Sequence, residues 1–99
     1  MNIQAMMMKQ AQALQKDMLK IKDEIDNSDF VGENAMIKIT IKGSKQISNV
    51  ELKVTDSLDS DDIDMLQDMI KSAYNEAAKK VDDTTEKKMG KFGNIPGLF

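Results

Sequence analysis

Ninety-nine residues carrying 14 Lys, no Arg, 17 acidic side chains and a formal charge of −3 describe one small acidic domain. The chain has no Cys and no His, which removes disulfides, thiolate and imidazole metal ligands, and a His general base. The usual serine, cysteine and zinc chemistries go with them, so a protein that is not an enzyme is expected, with no cofactor, no metal and no small-molecule substrate. No apolar run approaches the ~20 residues of a membrane span, and Met1-Asn2-Ile3-Gln4 lacks the basic-then-apolar pattern of a secretory signal. No membrane partner is expected, and the cytoplasm is the expected location.

Residues 2–26 read as one helix, rich in Met, Ala, Gln, Leu and Lys and free of Gly and Pro. Met7, Ala11, Leu14, Met18, Ile21 and Ile25 recur at alternating steps of four and three, the period of a coiled-coil seam. A stripe this narrow asks for a partner helix, and Ile63, Leu66, Ile70, Ala73 and Ala77 offer a similar rhythm later in the chain. Of the nine Met residues, Met18, Met65 and Met69 are placed for the core, while Met6 and Met8 lie off the stripe.

Asn27-Ser28-Asp29 breaks the helix. Phe30-Val31 is placed to start a short first strand, with Gly32 giving a turn or bulge. From Ala35 to Lys42 the residues alternate, Ile37, Ile39 and Ile41 on one face. Gly43-Ser44 signals a turn, and Val50, Leu52 and Val54 alternate with Glu51 and Lys53 as the return strand of a hairpin. Ile47 is out of phase with that face, which a bulge near Ser48-Asn49 resolves.

Asp59 is an N-cap candidate with Asp62 three residues on, so a second long helix is expected from about Ser60 to about Met89, ended by Gly90. The apolar tail, residues 92–99, is expected to be flexible beyond a single domain spanning 1–91. The fold class is therefore α+β: a long N-terminal helix, a small antiparallel sheet and a long C-terminal helix. Six apolar side chains of the hairpin, Ile37, Ile39, Ile41, Val50, Leu52 and Val54, need a cover. Together with Leu66 and Ile70 they are the candidate core and dimer residues, because a sheet shared across a two-fold axis buries more than one chain alone does.

The charge is uneven. Residues 1–26 are net neutral, 27–55 carry +1 and 56–99 carry −4. Lys9, Lys16 and Lys20 stand at steps of seven and four on one helix face, which is either a phosphate track or an ordinary solvated face. Lys79, Lys80, Lys87, Lys88 and Lys91 gather near the end of the second helix, where they also complement its negative dipole end. The acids from Asp56 to Asp68 lack the spacing of a calcium loop and are read as caps and solubilising charge.

Several segments together resemble the YbaB/EbfC family of small bacterial nucleoid-associated proteins. They are Met7-Met8-Lys9-Gln10-Ala11-Gln12, Ile37-Lys38-Ile39-Thr40-Ile41-Lys42-Gly43, Asp64-Met65-Leu66-Gln67-Asp68-Met69-Ile70, Ala73-Tyr74-Asn75-Glu76-Ala77, and the ending Lys88-Met89-Gly90 through Ile95-Pro96-Gly97-Leu98-Phe99. The resemblance covers nearly the full length. Three features depart from the family pattern: Gly32-Glu33-Asn34-Ala35 replaces a more Gly-rich stretch, Ser60 stands where Pro is frequent, and basic positions that can be Arg elsewhere are Lys. Lys lacks the planar fork of Arg, which weakens base-specific readout. The resemblance implies a tweezer-like homodimer with projecting helical arms that binds double-stranded DNA in the nucleoid and affects its conformation or gene expression. On the residues alone, a helical adaptor for a protein partner is the competing reading.

Overall fold

The computed structural model describes residues 2–90; Lys91 and the tail 92–99 lie outside them. The elements run α1 (Ile3–Asp26), β1 (Asp29–Glu33), β2 (Ile37–Lys42), β3 (Ile47–Leu52) and α2 (Ser60–Met89). The three strands form one antiparallel sheet in the order β1-β2-β3. The molecule is long and thin, 74 × 19 × 15 Å.

Local chemistry sets the boundaries. The Asn2 side chain caps α1 by accepting from the Gln4 backbone N–H at 3.0 Å. At the other end Ser28 Oγ donates to the Glu24 carbonyl at 2.7 Å, and Asn27 Nδ2 donates to that of Asp23 at 2.9 Å. These side chains satisfy carbonyls that a terminating helix orphans. α2 opens with a reciprocal capping box. Asp59 Oδ1 accepts from the Asp62 N–H at 2.8 Å while Asp62 Oδ2 accepts from the Asp59 N–H at 3.1 Å.

The β2–β3 register contains the bulge that the phase of Ile47 demands. Thr40 faces Asn49 and Ile41 faces Ile47, leaving Ser48 as the extra residue. The hairpin turn closes through the Lys45 N–H on the Lys42 carbonyl at 2.7 Å, and its left-handed residue is Lys45, φ 70°. A lysine there costs about 1 kcal/mol. It is fastened on both sides: the Tyr74 hydroxyl donates to its carbonyl at 3.2 Å, and its ammonium lies 3.0 Å from Asp82 Oδ1.

Ile37, Ile39 and Ile41 pack under Ala73, Ala77 and Val81 of α2, with Phe30, Met69, Tyr74 and Ala78 around them. Small alanines let the helix come close, and Gly32 lets the sheet meet it. A Cβ on Gly32 would stand 1.7 Å from the Ala73 carbonyl oxygen. Gly32 is thus a buried residue inside β1, paired with Ile39, and not the turn or bulge expected of it. The β1–β2 connection is made instead by Asn34, whose Oδ1 accepts from the Met36 and Ile37 N–H groups while its Nδ2 donates to the Met69 carbonyl at 2.9 Å. β2 accordingly begins at Ile37 and not at Ala35.

The partner of the α1 stripe is also different from the one expected. Ala73 and Ala77 face the sheet, not α1. What α1 meets is the far end of α2: Met18 and Ile25 pack with Met89, flanked by Ile21 and Phe30. Only the second half of the stripe is used in this way. Met7 and Leu14 are exposed, as are Met6 and Met8. Met69 is half-buried against the core, but Met65 is exposed.

Candidate nucleic-acid interface

Lys9, Lys16 and Lys20 lie on the exposed surface of α1. At 100° per residue they fall within roughly 40° of one another and about 180° from the Met7–Ile25 stripe. The packing of Met18 and Ile25 therefore fixes their direction: with the stripe turned toward α2, the lysine line is turned away. Among the described residues, no ion pair engages Lys9, Lys16, Lys20, Lys79, Lys87 or Lys88.

A further signal lies in the same helix. Between Asn2 and Lys16 there is no acidic residue; the first is Asp17. The projecting half of α1 thus carries only positive charge, while Asp23, Glu24 and Asp26 sit near the sheet, where Asp26 holds Lys22 at 2.9 Å. That contact and the neighbouring carboxylate charge raise the Lys22 ammonium above its usual range. Counting charge over the whole first segment averages this asymmetry to zero.

The lysines of α2 are less uniform. Lys87 and Lys88 occupy its last turn, next to Met89, which rests on Met18. That contact brings them to the same end of the molecule as Lys16 and Lys20. Lys80 is held elsewhere: its ammonium donates to the Val31 carbonyl at 2.7 Å and lies 3.4 Å from Glu76. It covers the exposed edge of β1, a structural duty. Lys79 is exposed but stands among Glu76, Asp82 and Asp83.

The opposite end is acidic. Asp59, Asp61, Asp62, Asp64 and Asp68 belong to the start of α2, and Asp61 and Asp62 occupy its first turn, where the helix N–H groups favour them. Among the described residues no three acidic side chains converge as a cation site. The outer face of the sheet is balanced. Glu33, Lys38 and Glu51 face one another across the strands, Lys53 pairs with Glu33, and Lys42 stands 3.7 Å from Asp29. The Lys53 hydrogen bond and charge hold the Glu33 carboxyl below its ordinary pKa of 4.5. A neutral, internally paired face offers little to a polyanion.

The candidate core and dimer residues divide in two. Ile37, Ile39 and Ile41 are buried, and Val54 and Leu66 are half-buried. Val50, Leu52 and Ile70 are exposed at 51%, 55% and 40%. No described helix is long and apolar enough to cross a membrane.

Comparison with known proteins gives the family. Residues 1–95 match the profile of the YbaB/EbfC DNA-binding family. A protein of Ligilactobacillus salivarius named as nucleoid-associated is 43% identical, the match covering 99% of this chain and 95% of the relative. One from Pelotomaculum thermopropionicum, bearing the same name, is 42% identical over 94% of this chain and 92% of its own length. A third nucleoid-associated protein, from Lactococcus lactis, is 42% identical with 93% of both chains covered.

Proposed function

Because this chain belongs to the YbaB/EbfC DNA-binding family, we propose that it is a nucleoid-associated homodimer whose helical arms hold duplex DNA. It does so chiefly at the phosphates, and thereby alters DNA conformation, nucleoid organisation or gene expression. The observation that carries this reading is the charge division along the molecule. An arm with Lys9 and Lys16 and no acid from Asn2 to Lys16 projects at one end, and the aspartates of α2 begin at the other. DNA is repelled from the acidic start of α2 and attracted to the arms. Lysine supplies point charges to phosphates, so the contacts give affinity with little sequence preference. Nothing in this arrangement requires a catalytic group.

The dimer is supported by β3. Ile47, Val50 and Leu52 pair directly with Ile41, Ile39 and Ile37 and so share their face, yet they are 50%, 51% and 55% exposed. Ile63 and Ile70 of α2 add exposed apolar surface. A second copy related by a two-fold axis would bring the same surface to cover it.

Binding to a DNA duplex, measured by gel shift or anisotropy at rising salt, tests the reading. If the three arm lysines of both subunits touch phosphates, six contacts give a slope of about −5 in log K against log salt, or roughly a thousandfold loss from 50 to 200 mM. Replacing Lys9, Lys16 and Lys20 together by Gln should weaken binding to all sequences and flatten that slope, with the dimer intact. Salt-independent binding, or none at low salt, overturns it. The exposed Met6, Met7 and Met8 favour one second reading, an adaptable surface for a protein partner. A partner recovered after nuclease treatment, with no affinity for DNA, would select it.

A further inference from the structure

The first half of the α1 stripe is an apolar helix face that no described residue covers. Past Met18 it runs through Leu14, Ala11 and Met7 to Ile3, and Leu14, Met7 and Ile3 are 42%, 63% and 72% exposed. An isolated helix of about 12–15 residues is marginal in water, and the segment from Ile3 to Lys16 is of that length. As the unpacked end of α1 it is free to fray, and α2 gives it no support, because α2 ends with Met89 on Met18, where the open part of the stripe begins.

The rest of the chain starts at that point. After Gly90 come nine residues, among them Phe92, Ile95, Leu98 and Phe99. Phe92, Ile95 and Leu98 recur every three residues, the period that lines one edge of an extended chain with three residues per turn. The open stripe from Met18 back to Met7 is roughly 16 Å long, and nine extended residues reach about 30 Å. Attachment at Gly90 also gives the segment a high effective concentration at the stripe, on the order of millimolar.

We propose that the apolar segment Phe92–Phe99 docks on the Met7–Leu14 stripe of its own α1 and keeps the arm helical. Because the stripe lies opposite Lys9, Lys16 and Lys20, a docked segment stiffens the arm without covering the lysines. This inference does not depend on what the arm binds.

Two measurements on the full-length protein test it. In a variant with Phe92, Ile95, Leu98 and Phe99 all changed to Ser, amide hydrogen exchange over residues 3–16 should accelerate at least tenfold while β1 and β2 keep their protection. Unchanged exchange over 3–16 overturns the proposal. The chain has no native Cys, so a Leu14→Cys, Ile95→Cys pair reports proximity without background. Oxidation should give a cross-link within one chain. A cross-link between chains, which would mean a second copy covers the stripe, or no cross-link at all, overturns it, including where the Ser variant fails to fold.

Discussion

β2 and β3 are neighbours with the same apolar rhythm and opposite fates. Ile37 faces Leu52, Ile39 faces Val50 and Ile41 faces Ile47. The first member of each pair is at most 1% exposed, and the second is at least half exposed. Residue type does not explain this; width does. A helix is about 10 Å across and strands stand about 4.8 Å apart, so α2 roofs two strands and leaves the third uncovered. α2 sits over β1 and β2, where Gly32, Ala73 and Ala77 allow close approach. The same sheet face therefore changes from core to surface within one strand spacing. That change is the physical reason for proposing a second subunit.

The sharpest test of this contrast is a pair of substitutions on one cross-strand pair. Ile39→Ala removes a buried side chain from a packed core and should cost about 2–5 kcal/mol, seen as a large fall in the denaturant midpoint. Val50→Asp alters a half-exposed position and should leave the subunit's secondary structure intact. Its effect should appear in sedimentation, as a dimer that dissociates at concentrations where the parent protein stays associated, because a carboxylate buried without a partner is costly. A Val50→Asp protein that dimerises like the parent would remove β3 from the interface. An Ile39→Ala protein of unchanged stability would mean that the cover supplied by α2 is not what holds β2.

How much of this was legible beforehand varies with the range of the interaction involved. The bulge at Ser48 followed from the phase of Ile47, because a period of two leaves no other way to return Ile47 to the face of Ile41. The Asp59–Asp62 cap was legible for the same reason: its partners are three residues apart. Gly32 was misread because its role is set by Ala73, forty-one positions later in the chain, and a glycine in a loop-like context carries no mark of close helix approach. The α1 stripe identified a face that needs a partner but not the partner. Ala73 and Ala77 keep a helical rhythm, yet their small size suits the sheet, and Met89 meets α1 in their place. In the candidate site the lysine line was visible. The acid-free stretch from Asn2 to Lys16, which holds Lys9 and Lys16 but not Lys20, is hidden in the net charge of the whole helix.

Smaller effects separate the two ends of the sheet–helix unit. Asp59→Ala removes one acceptor of the capping box and should cost about 1 kcal/mol, read as a modest drop in the thermal midpoint. It should also increase fraying over the first turn of α2, visible as faster exchange at Ile63, whose N–H bonds to the Asp59 carbonyl at 3.0 Å. The same substitution should leave the β1–β2 core as protected as before, because the cap lies outside it. Loss of protection in β2 would mean that the acidic start of α2 and the sheet unfold as one unit.

The smallest expected effect belongs to Glu33, on the balanced outer face of the sheet. Its carboxyl is held below 4.5 first by the Lys53 hydrogen bond and then by the lysine's charge. The folded state therefore binds that proton less readily than the unfolded chain, and the contribution to stability is fully present above the unfolded value of about 4.5. It is lost as the pH falls from there through the lower folded value. The pair is exposed, with side-chain exposures of 35% and 45%, so water and salt screen most of it. Glu33→Gln should therefore lower stability slightly at pH 7, by an amount that shrinks as the pH falls below 4.5 and the parent carboxyl takes up its proton. A difference between the two proteins that stayed constant as the pH fell would assign the role of Glu33 to packing along the β1 edge and not to its charge.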